Sequence, residues 1–177
     1  MTRATDEELM QAIAVGDLDA FSELVRRFQH FAWKTAYRFL GDSMEAEDIA
    51  QESFLRILEA APRYRPTSNF CTYFYRILTN LCIDRTRKKQ PATFGEMPEM
   101  PDPSRSPEGS LIEEQHEEQV RKALDALPHN QRAAMLLKHF EGLSYAEIAQ
   151  ILGVTSKAVE RLISRARTSL QARLSDL

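Results

Sequence analysis

Cysteine, glycine and tryptophan are scarce in this chain of 177 residues, with two Cys, six Gly and one Trp. Cys71 and Cys82 have no metal-site spacing and make no disulfide framework. They fall on one face of what reads as a single helix, too far apart to pair without unfolding it. Reduced thiols and a cytoplasmic setting are therefore expected. There is no glycine-rich loop, which argues against a nucleotide-cradling turn. No apolar run reaches the ~18 residues that a membrane span needs. The opening MTRATDEELM lacks the apolar core of a secretory signal. A basic excess is missing too: the net charge is −3, which argues against a protein that grips DNA unaided.

What is present is a globular composition, 43% hydrophobic and 28% charged, with an uneven spread of charge. Residues 1–90 are neutral, residues 91–120 carry −7, and residues 121–177 carry +4. Arg76, Arg85, Arg87, Lys88 and Lys89 crowd one stretch; Lys157, Arg161, Arg165, Arg167 and Arg173 crowd another. Two basic patches thus flank an acidic spacer. Taken alone, such patches also suit two solvated helix faces. The spacer weakens unaided phosphate binding, so a partner that supplies more positive charge fits the pattern.

Apolar residues recur at helical spacing nearly throughout, and no stretch alternates convincingly as a strand. The spacing predicts an all-α protein. Helices are expected over Asp6 to Val15, Leu18 to Leu40, Met44 to Ala61, Phe70 to Lys89, Ser110 to Ala126, Asn130 to Phe140, Tyr145 to Leu152 and Ser156 to Leu174. Segment 91–110 holds five of the eight prolines without apolar periodicity, and reads as a flexible acidic linker. The expected organisation is a helical domain at 1–90, the linker, and a second helical domain at 111–177.

The strongest motif is LSYAEIAQILGVTSKAVERLISRAR. Ser144 and Glu147 have capping-box spacing, which starts a helix by satisfying orphan N–H groups. Ala149 is small enough for a close helix crossing, and Gly153 supplies the positive φ of a tight turn. Thr155 or Ser156 can cap the next helix. Val159, Leu162, Ile163, Ala166 and Leu170 point to the core. The opposite face offers Lys157, Glu160, Arg161, Ser164, Arg165 and Thr168, with Arg167 placed for phosphates. That is a helix-turn-helix with a recognition helix suited to the major groove. Arginine pairs bidentately with guanine, and Glu160 can accept from cytosine N4.

Two helices of the first domain carry further signals. Over Met44 to Ala61, Ala46, Ile49, Ala50, Ser53, Phe54 and Ile57 form one face; Asp48, Gln51, Glu52, Leu55 and Glu59 form the other. An acidic face centred on a leucine suits docking, although a solvated face has the same look. From Phe70 onward, Cys71, Phe74, Leu78 and Cys82 line a buried side, while Tyr73, Arg76, Asn80, Asp84 and Arg87 align opposite. Asn69 and Phe70 end the loop before it. Aromatic, amide and cationic groups on one face suit single-stranded nucleic acid, by stacking, edge readout and phosphate contact. A core aromatic cluster of Phe70, Phe74 and Tyr75 is the competing reading. Phe28, Phe31, Trp33 and Tyr37 look like core.

With these motifs in hand, the chain resembles the extracytoplasmic-function group of bacterial RNA polymerase sigma factors over nearly its whole length. EAEDIAQESFLRIL resembles the segment that docks on the coiled coil of the polymerase β′ subunit. YRPTSNFCTYFYRILTNLCIDRTRKK resembles the loop and helix that open and read the −10 element. LPHNQRAAMLLKHFEGLSYAEIAQILGVTSKAVERLISRAR resembles the −35 reader. The resemblance implies that Asp48, Gln51, Glu52 and Leu55 contact core polymerase. It implies that Asn69, Phe70, Tyr73, Arg76 and Asn80 read the melted −10 strand, with Arg85 and Lys88 on its backbone. It places Lys157, Glu160, Arg161, Ser164, Arg165 and Arg167 on −35 duplex. The chain departs from the group at Tyr73, where many members have tryptophan, at Cys71, and in SKAVERLI, which lacks the usual arginine-rich start.

Such a protein is a removable specificity subunit, not an enzyme, and takes no cofactor and no metal. Its implied partners are core RNA polymerase, through the β′ coiled coil and the β subunit, promoter DNA and an anti-sigma factor. It is cytoplasmic, held at the membrane only through that last partner, and acts in a stress response. Promoter elements two turns apart lie ~70 Å from one another. Two domains of ~13 Å radius leave ~45 Å to bridge, within the ~66–72 Å reach of a 20-residue linker. The same linker lets the domains fold together in an inhibited state. The alternatives are a stand-alone helix-turn-helix regulator of duplex DNA, and an enzyme built on His30, His116, His129 and His139. Those histidines are scattered, with no metal spacing.

Overall fold

The computed structural model describes residues 4–89 and 111–175. Among them are eight α-helices and no strand. These are α1 (Asp6–Ala14), α2 (Leu18–Leu40), α3 (Ser43–Ala60), α4 (Phe70–Lys89), α5 (Leu111–Asp125), α6 (His129–His139), α7 (Tyr145–Leu152) and α8 (Ser156–Ser175). Each expected helix is present, with ends moved by at most one residue. A 3-10 turn at Ala61–Arg63, opened by Pro62, was not legible as such and leads α3 into the loop before α4.

Local chemistry sets most helix ends. Thr5 and Glu8 form a reciprocal capping box on α1. Asp17 accepts from the N–H groups of Asp19 and Ala20 to start α2, and Asp42 accepts from Glu45 to start α3. Between them α2 ends at Gly41, whose φ of 68° lets the chain turn directly into the next cap.

The first domain is built on α2 packed along α3, with α1 and α4 closing it. Its centre is aromatic. Phe74 lies 5.7 Å from Phe28, 5.9 Å from Phe31, 5.4 Å from Phe54 and 5.7 Å from Phe70, ring centre to ring centre. Rings at such distances add about 0.5–1.5 kcal/mol per pair beyond area burial. Trp33 stacks on Tyr37 at 5.0 Å, but Tyr37 lies on the rim, 39% exposed, and not in the core as expected. The reason is geometric: Tyr37 falls on the side of α2 that faces a groove toward α5 and α6.

In the second domain α6, α7 and α8 surround Leu137, Ile148, Ile151, Val159 and Ile163, and α5 packs on α8. The two domains touch: α4 packs on α7 and α6, and α2 on α6. Their apolar interiors join in one core. The linker expected at 91–110, with its flexibility, lies outside the described residues.

Candidate nucleic-acid interface

The helix-turn-helix is assembled as its local chemistry requires. Ser144 Oγ accepts from Glu147 N–H at 3.2 Å, and Glu147 Oε2 accepts from Ser144 N–H at 2.8 Å. That backbone donor, with the Ser144 hydroxyl, holds the Glu147 carboxyl below its ordinary pKa. Gly153 adopts φ 67° and donates to the Ala149 carbonyl, while Ala149 is buried against the crossing. Thr155, not Ser156, caps α8 by accepting from Ala158 N–H at 3.1 Å. Val159, Ile163 and Ala166 are buried; Lys157, Glu160, Arg161, Ser164, Arg165, Arg167 and Thr168 are exposed. Burying α8's apolar stripe presents its cations to solvent as one surface.

On α4 the exposed series is Arg76, Asn80, Asp84, Arg87 and Lys88, with Tyr73 half-buried beside it. Tyr73 forms a ridge between two clefts. One, of about 350 Å³, is lined by Arg56, Arg63, Asn80 and Asp84 among others. The second, of about 260 Å³, is lined by Thr67, Ser68, Thr72, Arg76 and Gln150. Burial pushes the Tyr73 phenol up, opposed by the nearby Arg76, so it remains a neutral hydrogen-bonding aromatic at physiological pH. Arg56 and Arg63 lie at this surface although the sequence reading passed over them; their distance from Tyr73 along the chain hid them.

Two expected readers have other tasks. Phe70 is 1% exposed, 5.0 Å from Phe28 and 6.4 Å from Tyr73, so it supports the face from beneath and offers no free ring. This corrects the expectation that it stands on the reading face; the core alternative applies, because α1 and α2 close over the start of α4. Asn69 caps α4, its Oδ1 accepting from Thr72 N–H at 2.8 Å. Arg85 is drawn onto α3, 3.8 Å from both Glu45 and Asp48, and Lys89 pairs with Glu45.

On α3, Asp48, Gln51 and Leu55 are exposed, and Glu52 is partly covered by its 2.8 Å ion pair with Arg56. Leu55, 54% exposed, lies with them along a groove shared with Arg85 and Lys88 of α4. Acidic and basic groups there surround Leu55, and Ile49 and Leu81 also line the groove.

Cys71 is half-buried and Cys82 buried, both as free thiols, and burial pushes Cys82 up to about 12. Such thiols remain protonated and unreactive. His30, His116 and His139 are exposed, while His129 contacts Thr86. Among the described residues no three His, Cys, Asp or Glu side chains are placed to hold a metal ion, and no helix is long and apolar enough to cross a membrane.

These faces coincide with known modules. Residues 24–92 match the family model of sigma-70 region 2, and residues 117–170 match that of sigma-70 region 4. The RNA polymerase sigma-H factor of Pseudomonas aeruginosa is 32% identical, over 100% of this chain and 97% of its own length. The chain belongs to the extracytoplasmic-function sigma factors. As a sigma factor it directs transcription. The extracytoplasmic-function sigma factor SigW of Bacillus subtilis is 31% identical over 95% of this chain and 96% of its own. Among solved structures, CnrH in complex with the cytosolic domain of CnrY shares 26% identity with this sigma factor, covering 97% of each chain with a TM-score of 0.68. The families to which these proteins belong are not an enzyme class.

Proposed function

We propose that this sigma factor docks on core RNA polymerase through α3 and reads promoters at two places, a melted −10 strand with α4 and a −35 duplex with α8. The observation that carries this reading is the separation of three exposed faces: Asp48, Gln51, Glu52 and Leu55 on α3, Tyr73, Arg76 and Asn80 on α4, and the cationic face of α8. Each has different chemistry, and the first two adjoin along the groove shared by Leu55, Arg85 and Lys88.

On α8, Arg161 and Arg165 supply planar donors for guanine edges, with ~1–3 kcal/mol of discrimination per good bidentate pair. Lys157 and Arg167 hold phosphates, while Glu160 and Ser164 complete the base contacts. On α4, extruding a base from the duplex costs a few kcal/mol. Stacking on Tyr73 returns ~1–3 kcal/mol per base. Asn80 and Arg76 supply hydrogen bonds on either side of that ring. Asn69 acts through the helix start, and Phe70 by supporting Tyr73. Binding the open strand and not the duplex shifts the melting equilibrium toward open DNA. Arg85, already shared with Glu45 and Asp48, links the docking helix to the reading helix, and Lys88 faces the backbone.

The −3 net charge leaves most of the phosphate attraction to the polymerase. An anti-sigma partner is part of the proposal, and CnrH was likewise solved in complex with the cytosolic domain of a second protein, CnrY. Through it a cytoplasmic sigma factor can be retained at a membrane.

Run-off transcription with purified core polymerase tests the reading. Product from a cognate promoter is expected. Arg161→Ala should lower it through promoter binding, and Arg76→Ala through open-complex formation with duplex binding retained. Absence of product with core polymerase, together with tight duplex binding in its absence, would replace this reading by that of a stand-alone regulator.

A further inference from the structure

The start of α4 is held in part by a side chain 63 residues before it. Asn69 supplies the local cap: its Oδ1 accepts from Thr72 N–H at 2.8 Å, and its carbonyl accepts from Tyr73 N–H at 3.3 Å. A cap of this kind reaches the second or third amide of a helix and not the first. The Phe70 N–H, one of the four donors that a helix start leaves without helical partners, donates instead to Glu7 Oε1 of α1, at 3.1 Å. A carboxylate there also meets the positive end of the α4 dipole. Two neighbouring groups feel it. Burial and then Glu7 push the Tyr64 phenol up, and burial followed by Asp6 and Glu7 pushes the Cys71 thiol up.

Glu7 is the middle one of three acids, Asp6, Glu7 and Glu8, in the first turn of α1. By local chemistry all three suit a helix N-terminus equally. The fold gives each a different partner. Glu8 accepts from Thr5 N–H inside its own capping box, at 2.7 Å. Asp6 accepts from Arg27 of α2 at 2.8 Å, and the same guanidinium donates to the Ala4 carbonyl at 2.8 Å and to Glu23 at 2.8 Å. The turn that carries Glu7 is thereby pinned to α2, and Glu7 becomes a fixed arm reaching across to α4.

That arm steadies the loop 64–69 and the first turn of α4. α1 packs on the 3-10 turn from which the loop departs, and Glu7 holds the amide at which it ends. Tyr64 meets the Tyr73 ring at 5.0 Å from one end of the loop, and Phe70 meets it at 6.4 Å from the other. Thr67, Ser68 and Thr72 line the cleft beside that ring. Tyr73 follows Phe70 by less than one helical turn, so a shift of the Phe70 amide carries the Tyr73 ring with it.

We propose that Glu7 is a positioning residue for promoter opening: by holding the Phe70 amide it sets the start of α4, and with it the direction of the Tyr73 ring and the width of the loop cleft. As an anion Glu7 makes no phosphate contact of its own, so it acts through Phe70 and Tyr73. This role rests on the reading of a melted −10 strand proposed above; the cap on α4 does not.

The test uses the full chain, alone and in holoenzyme. Glu7→Ala removes the acceptor, and Glu7→Gln keeps a neutral oxygen at the same reach. Glu8→Ala breaks the α1 capping box and leaves the Phe70 contact in place, so it controls for lost stability alone. Without DNA, Glu7→Ala should speed hydrogen exchange at the amides of residues 70–73 about tenfold, the lower end of what one hydrogen bond to a charged group supplies. Glu7→Gln, with a weaker neutral acceptor, should stay within about threefold of wild type. On a duplex promoter, Glu7→Ala should slow strand opening about tenfold, read by 2-aminopurine fluorescence in the −10 element, with closed-complex and core-polymerase affinities unchanged. Glu7→Gln should recover most of the opening rate, and Glu8→Ala should keep it. Unchanged exchange in Glu7→Ala overturns the cap. Raised exchange with normal opening, or equal slowing by Glu7→Ala and Glu8→Ala, overturns the positioning role. Tyr73→Ala separates this role from the function beneath it. If Tyr73→Ala opens the promoter at the wild-type rate, the −10 reading itself fails; slow opening by Tyr73→Ala beside normal opening by Glu7→Ala removes Glu7 alone.

Discussion

Replacing Gly153 with alanine separates backbone strain from packing at the turn on which the helix-turn-helix depends. Gly153 has φ 67°, and a Cβ built on it meets nothing within 4 Å. The substitution therefore adds no clash, and its cost is conformational. The left-handed region costs a residue with a Cβ about 1–2 kcal/mol. A stiffer unfolded chain offsets about 0.4–1 kcal/mol of that. The expected net loss is about 1 kcal/mol, or ~2–4 °C in Tm for a chain of this size. Gly153→Asn should lose less, because asparagine tolerates this conformation better. Gly41 is the internal control. Its φ is 68°, but a Cβ there would fall 1.3 Å from the Arg121 guanidinium. Gly41→Ala thus carries the same strain and must also displace a side chain from the domain contact, so its Tm loss should be larger. The measurement is thermal unfolding by circular dichroism on all three variants. If Gly153→Ala raises Tm, or if it costs as much as Gly41→Ala, the assignment of its cost to φ alone is wrong.

Phe74→Ala should destabilise the first domain by about 3–5 kcal/mol, since it empties the centre of the aromatic cluster; Tyr73→Ala, at a half-buried ring, should cost much less in chemical denaturation yet lower open-complex formation. Glu147→Gln tests the capping box by pH. The folded-state pKa of Glu147 lies below its ordinary value, so its charge stabilises above the unfolded pKa of about 4.5 and that gain fades as pH falls through the folded value. Wild type and Glu147→Gln should differ in Tm at pH 7 and converge in acid; a constant gap down to pH about 3 would remove the carboxylate from the cap. Arg132→Ala should cost about 1–3 kcal/mol by leaving the Phe39 carbonyl without its donor, and urea unfolding monitored in both domains should show both weakened.

The sequence by itself determined the helices, their caps and the chemistry of α8. These depend on neighbours within four residues, where the backbone holds partners at fixed spacing whatever surrounds them. Ser144 with Glu147, the turn at Gly153, and the cations of α8 opposite Val159 and Ile163 were legible for that reason. The tertiary structure alone decided which of two aromatics three residues apart is buried. Phe70 and Tyr73 have similar residue chemistry, and only the closure of α1 and α2 over the start of α4 sends Phe70 inside. It also decided that Arg85 joins Glu45 and Asp48, and that Glu141, unremarkable in its loop, becomes enclosed by Arg38 and Tyr75. Arg38 is 103 residues from Glu141, and Tyr75 is 66. Helical periodicity reports which side of a helix is apolar. It carries nothing about which distant charge will be brought against it, because that choice is made by packing.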